Sequence, residues 1–345
     1  AEAHRGISGQ QFITAIALGC EVTVRMGLAL RTSIADFGWY PPPILAAFGA
    51  TIAAAKLLEL SAAQICDALS LTLCQATCSG EIIHSPTSLI RAVRDAFPAR
   101  AAVTSVLLAQ RGVTGFDRPF EGDAGFFATF ARGQYDPNRM VERLGQSFEI
   151  ERISFKPWPS CRGTHAAIEA ALIWHSEAAS SCDLIEKVSI QGGPMLRILA
   201  EPLASKRQPA TAIDAKFSLP FTVASALLHG GVGLQSFIPE ALGDPAVLSL
   251  ASRIHVDATL PVGSPIGARL RVQLRDGTAR EQFVSSPLGS PDHPLPVQTL
   301  RAKFIECAGL GLDPLSPARA TRLADAILSL ERLADIGEEL GPLLR

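Results

Sequence analysis

The hydrophobic spacing changes period twice along this chain, and that constrains the fold more than any other feature. From Ser8 to about Leu144, apolar residues recur at helical intervals. Near residue 149 short stretches of strand-like alternation begin. After the proline-rich run at 290–296, helical periodicity returns and continues to the end. Helices, then mixed elements, then helices again is the order expected when one domain is inserted into another. The expectation is a mainly α protein with an α+β insertion. Residues 1–148 and 295–345 would form a large all-helical domain, and residues 149–294 a smaller α+β lid domain. A length of 345 residues suits about two domains.

Local signals fill in this outline. Ser8 opens a helical pattern to about residue 30, with Phe12, Ile13, Ile16, Ala17, Cys20 and Val24 on one face. The run Gly38-Trp39-Tyr40-Pro41-Pro42-Pro43 reads as a breaker and a forced loop. A second helix follows over about 44–60, where alanines and Gly49 permit close helix contact. Ser61 and Gln64 have the spacing of a capping box for a helix reaching about Cys78. Another spans about 88–110, disturbed at Phe97-Pro98. Strands are expected over 148–155, 183–191, 253–258, and over 269–274 and 278–284 around the hairpin signal Asp276-Gly277. Helices over about 162–178 and 218–228 interrupt them.

Composition excludes several classes of function. Charged residues are 19% of the chain, the net charge is −2, and Lys and Arg are scattered. No basic stripe is present for nucleic acid, and no basic amphipathic helix for a membrane surface. The apolar run over 44–58 is interrupted by Gly49 and Lys56 and is too short to span a bilayer. The seven cysteines are odd in number and lack a CxxC pair, and Cys74 and Cys78 have no His or Cys partners in sequence for a metal. The reading is reduced thiols, mostly buried, in a cytoplasmic protein without metal.

The segment Lys156-Pro157-Trp158-Pro159-Ser160-Cys161-Arg162-Gly163-Thr164-His165 carries the most chemistry. Two prolines stiffen the approach to a helix that starts near Cys161 or Arg162. The free N–H groups of that start, with Arg162 and Lys156, would attract carboxylates, Arg bidentately. Removing a proton beside a carboxylate builds negative charge that such cations stabilise. Against this stands the ordinary reading of two surface charges. His165 is either an acid–base group near neutrality or a buried imidazole bonded to backbone. Cys161 is either a thiol in the site or a small buried side chain. Trp39 and Trp158 either line a pocket or simply pack.

Taken with its neighbours, that segment resembles the KPYPxCRxTHAAID signature of the MmgE/PrpD family, which includes 2-methylcitrate dehydratase and cis-aconitate decarboxylase. Gly38-Trp39-Tyr40-Pro41 followed by Phe48-Gly49-Ala50 is similar to its GFHPT…GPFGAA run. The stretch from Leu107 to Gly115 with Phe120-Glu121-Gly122 resembles LLAxxGFTGP…LEG. Ala215-Lys216-Phe217-Ser218-Leu219-Pro220-Phe221 resembles AKFSxPY, and Ala302-Lys303-Phe304 the KF of the closing helices.

The resemblance implies a homodimer, no cofactor, no iron–sulfur cluster and no metal, and a small polycarboxylate substrate. It implies Lys156, His165 and Tyr40 as catalytic residues, with Arg91, Arg162, Cys161 and Ser218 binding substrate, and Lys156, Arg162 and Arg91 gathered in one cleft. It also implies a further N-terminal portion with a DDxxxHP-type motif, which this sequence is expected to lack. Two departures matter. Tyr40 aligns with the family's His in the GFHPT run, and Tyr is a poor base at neutral pH. Arg91 aligns with a family Lys and keeps only the charge. Phe221 stands where some members have Tyr. The expected function is a carbon–oxygen lyase dehydrating a 2-methylcitrate-like substrate in propionate catabolism. The alternatives are an inactive carboxylate-binding homologue, and a cis-aconitate decarboxylase or epimerase of the same family.

Overall fold

The computed structural model describes residues 6–85, 88–259 and 266–344. The chain divides into two compact units, Ala1–Arg152 with Ala308–Arg345, and Ile153–Cys307. Helices of eight residues or more are numbered here in chain order. In the first unit they are α1 (Gly9–Ala29), α2 (Pro41–Leu57), α3 (Ala62–Leu73) and α4 (Ala96–Gln110). In the second they are α5 (His165–Ala178), α6 (Leu219–His229), α7 (Pro245–Ser252) and α8 (Val297–Ala308). The first unit is completed by α9 (Pro317–Leu328) and α10 (Ile336–Leu344). The fold is mainly α with a smaller α+β part, as the change of hydrophobic period predicts.

Capping decides where several helices start. Ser8 and Ser61 each accept a hydrogen bond from the backbone N–H three residues on, and the side chains of Gln11 and Gln64 accept in return. α1 and α2 approach closely because glycines stand where they meet. A Cβ on Gly49 would lie 2.0 Å from Thr23 Oγ1 and 2.3 Å from the Gly19 carbonyl oxygen. Met26, Ile34, Phe48, Phe126, Phe127 and Phe130 form the main core of this unit. α1 is long and apolar enough to cross a membrane by length and composition. It carries a buried ion pair, Arg25 Nε to Glu21 Oε1 at 2.6 Å. Arg25 also donates to the carbonyls of Arg139, Glu142 and Ser147, and Glu21 accepts from the amide of Ile150. The pair fastens residues 139–150 to α1.

The second unit is built on a four-stranded sheet of β1 (Ile185–Gly192), β2 (Ile254–Asp257), β3 (Ala268–Leu274) and β4 (Ala279–Val284), in the order β2-β1-β3-β4. β1 and β2 are parallel, and the other pairs are antiparallel. The Asp276-Gly277 turn joins β3 to β4, with Gly277 at φ 86° and Asp276 Oδ1 accepting from the Thr278 amide at 2.8 Å. α5 and α6 are alanine-rich and fully buried along their inner faces. With Val188, Ile190, Leu270 and Val272 of the sheet they form one core.

Some local expectations fail for identifiable reasons. The three prolines at 41–43 do not form a loop; they are the first turn of α2, where a missing N–H costs nothing and a fixed φ is helical. The strand expected over 148–155 is absent: Glu149–Arg152 is a 3-10 turn held to Glu21. The helix starting at Ser61 stops at Leu73, well short of Cys78. The chain to Leu144 is not helical throughout, since residues 112–125 form a loop. α8 is grouped with the α+β unit, not with the C-terminal helices where the sequence boundary at 295 put it. The seven cysteines are free, but none is fully buried, and Cys74 and Cys307 are exposed.

Candidate functional site

In the α+β unit, the segment around residues 156–165 enters α5 through a 3-10 turn, Arg162–Thr164. The Cys161 amide donates to the Lys216 carbonyl at 2.9 Å, so this segment is tied to the one around residues 215–221. Ser160 and Thr164 share a hydrogen bond of 2.8 Å, and Thr164 donates to the Cys161 carbonyl. The turn is thus rigid before any ligand is considered.

Arg162 has both protons of each terminal nitrogen engaged. Nη1 donates to the Leu288 carbonyl at 2.9 Å and meets His165 Nδ1 at 3.1 Å. Nη2 donates to the Pro287 carbonyl at 3.1 Å and to Ser290 Oγ. The loop that receives them is itself braced. The Leu288 amide donates to Glu169 Oε2, Ser286 Oγ to Asp292, and the Gly289 amide to the His293 carbonyl. A guanidinium so placed has no fork left for a substrate carboxylate. Arg162 therefore does not fit the bidentate clamp expected from the sequence.

His165 is fully buried, with the Trp158 ring edge-on at 5.2 Å. Its pKa is pushed down to about 3, first by burial, then by the charges of Arg162 and Lys156 and, more weakly, Lys303. The Ser160 carbonyl pulls the other way. His165 is therefore a neutral imidazole at physiological pH. The titration near neutrality expected from residue type does not occur, because desolvation outweighs it. An arginine N–H can only donate, so Nδ1 must be the acceptor and Nε2 must carry the proton. That Nε2 is buried without a hydrogen-bond partner among the described residues.

The other expected residues divide. Lys156 is exposed, and no partner for its ammonium is found among the described residues. Its carbonyl accepts from Lys303 Nζ, which adds a second cation that the sequence reading had noted only as a motif match. Cys161 is half-buried and packs against the α+β core. Ser218 is fully buried: its Oγ caps α6 by accepting from the Phe221 amide and donates to the Lys206 carbonyl, so it is engaged in structure and not offered to a ligand.

Tyr40 and Arg91 belong to the helical unit. Tyr40 is the residue before α2; its amide donates to the Cys78 carbonyl, and its hydroxyl is 3.5 Å from Arg91 Nη2. Arg94, one turn after Arg91, lies over the Tyr40 ring at 5.1 Å from its centre. A cavity of about 600 Å3 in this unit is lined by Cys78, Ser79, Ser85, Ser88, Arg94 and Arg100, among others. Burial pushes the Cys78 thiol above its ordinary range. Arg94 and Arg100 escaped the sequence reading, although the i, i+3 spacing of Arg91 and Arg94 was a usable signal.

Comparison with known proteins matches the two halves of this arrangement to one family. Residues 158–330 match the MmgE/PrpD C-terminal domain, and residues 1–138 its N-terminal domain. The chain belongs to the MmgE/PrpD family. It is 28% identical to a cis-aconitate decarboxylase-like protein of Aspergillus oryzae and 27% identical to a cis-aconitate decarboxylase of Aspergillus terreus. Each match covers 97% of this chain and 71% of the relative. With the human cis-aconitate decarboxylase it shares 23% identity over 86% of this chain and 62% of that protein. At the level of the family, the chain is a dehydratase- or decarboxylase-like lyase.

Proposed function

We propose that the chain is a lyase of small tricarboxylates, and that its reaction is loss of CO2 from a cis-aconitate-like substrate. The observation that carries this reading is the state of His165. Its Nδ1 lone pair is taken by Arg162 and its Nε2 holds a proton. Such an imidazole cannot serve as a base, but it is a hydrogen-bond donor. Dehydration of 2-methylcitrate needs a base at carbon and an acid at the leaving hydroxyl. Decarboxylation needs no base. The C–C bond to one carboxylate breaks and CO2 leaves. The electron pair shifts the double bond by one carbon, and a proton is added at the far end, beside a second carboxylate. The charge that passes through that carboxylate is stabilised by the Nε2–H of His165 and the ammonium of Lys156. Lys156, whose ammonium is exposed, is the proton donor. The names of the relatives favour the same reaction.

The test is turnover of cis-aconitate and of 2-methylcitrate by the same preparation, reading CO2 release and loss of hydroxyl in parallel. CO2 from cis-aconitate, abolished in Lys156→Met, is the expected result. Dehydration of 2-methylcitrate without CO2 release from cis-aconitate would overturn it in favour of the dehydratase reading.

A further inference from the structure

We infer that Arg162 is a positioning residue: braced by the loop over residues 286–293, it fixes His165 as the Nε2–H tautomer, with that buried N–H as the donor the proposed reaction uses. The choice of assay below rests on the lyase reading; the tautomer does not.

Three observations converge. The first is chemical. A guanidinium stays charged and has no acceptor, so its contact with Nδ1 at 3.1 Å admits one neutral tautomer only. The second is the completeness of the guanidinium's bonding. Two carbonyls and a hydroxyl from one short loop take its other terminal N–H groups, so it cannot swing toward a ligand without giving up several bonds. The third is how that loop is held. Gly289 sits at φ 87°, and a Cβ there would lie 2.1 Å from the Phe155 carbonyl oxygen, while the Phe155 amide donates to the Gly289 carbonyl. Glu169, one turn beyond His165 on α5, accepts from the Leu288 amide. The loop, the segment around residues 155–162 and α5 are therefore locked around one guanidinium.

The charges bearing on the imidazole are all positive: Arg162, Lys156 and Lys303. Glu169 and Asp292 act on Arg162 and keep it charged despite its burial. The neutral ring is thus favoured from every side except the Ser160 carbonyl.

The experiment is a long-range 1H–15N spectrum of the intact chain, with His165→Gln identifying the His165 signals, recorded at pH 7 and pH 5. The expected result is a pyridine-type Nδ1 and a pyrrole-type Nε2 at both values. The opposite tautomer, or an imidazolium at pH 5, overturns the proposal. Arg162→Lys retains the charge but not the geometry. It should mix the tautomers and lower kcat by about 10- to 100-fold, as misplacement of a catalytic group does, with KM changed less than about threefold. A KM raised at constant kcat would instead mark a substrate clamp and overturn the positioning role. Ser290→Ala removes one brace and should give a smaller loss of kcat in a chain that keeps its fold. It covers the case in which Arg162→Lys does not fold, and an unchanged kcat there counts against the loop's part. The expected tautomer in a chain without any lyase activity would sustain the tautomer assignment and sink the lyase reading.

Discussion

Nη1 of Arg162 lies 3.1 Å from Nδ1 of His165, so a permanently charged side chain points its proton at the lone pair of a buried imidazole. An imidazole in this position stays neutral, and its chemistry reduces to one buried N–H.

A pH dependence of stability follows. The His165 pKa falls from 6.5 to about 3 on folding, so the unfolded chain binds a proton that the folded chain does not. The contribution of His165 to stability is complete above the unfolded value. It is lost progressively as pH falls from about 6.5 toward 3, at up to about 1.4 kcal/mol per pH unit. Denaturant unfolding at pH 7, 6 and 5 should show the wild type losing more stability than His165→Gln. Parallel losses would contradict the neutral, desolvated imidazole.

Glu21 and Arg25 form a second buried charged arrangement, at 4% and 3% exposure. Burial pushes the Glu21 carboxyl up, yet the amides of Glu149 and Ile150 and the Arg25 charge leave it below its ordinary range. Removing one partner leaves a buried charge uncompensated, so Arg25→Met should cost about 3–5 kcal/mol. Residues 139–150 should then become open to proteolysis before the rest of the unit. Unfolding curves within 1 kcal/mol of wild type would show that the pair is dispensable.

Much of the fold was legible in the sequence because the signals are local. Capping boxes at Ser8 and Ser61, the Asp276-Gly277 turn and the periodicity of β1 each act within a few residues. What was not legible depends on long-range partners. The stretch over 148–155 alternates like a strand but is captured by Glu21, 129 residues earlier at Ile150. Arg162 has the composition of a carboxylate clamp, yet its partners Pro287, Leu288 and Ser290 lie more than a hundred residues on. Nothing in the local pattern announces them. His165 was identifiable as important, but not as neutral, because burial is a property of the folded chain. Ser218 was read from a motif as a binding residue and proves to be a helix cap, a role that its place before Leu219-Pro220 did signal.

The contact of α1 with α2 sets a steric prediction. Gly49→Ala would drive a methyl to 2.0 Å from Thr23 Oγ1 and 2.3 Å from a backbone oxygen of Gly19, which cannot move as a side chain can. Overpacking of this kind costs about 1–3 kcal/mol or more. Thermal unfolding of Gly49→Ala should show the loss, with Gly231→Ala, where a Cβ meets nothing within 4 Å, as the neutral control. Equal melting of the two variants would contradict the close approach.

Gly289 links the site to its brace. Gly289→Ala should displace the loop, slacken Arg162 and lower kcat by about 10-fold or more, while KM for the tricarboxylate changes little. Steady-state kinetics on folded protein decide this, and a variant with wild-type kcat would separate the loop from the chemistry.

The most direct test of the decarboxylase reading follows the atoms. In deuterated water, the chain acting on cis-aconitate is predicted to release one CO2 per molecule. It should place one deuterium on the carbon that the double bond leaves, beside one of the two surviving carboxylates. Release of no CO2, with deuterium or water exchanged into an intact six-carbon acid, would contradict it.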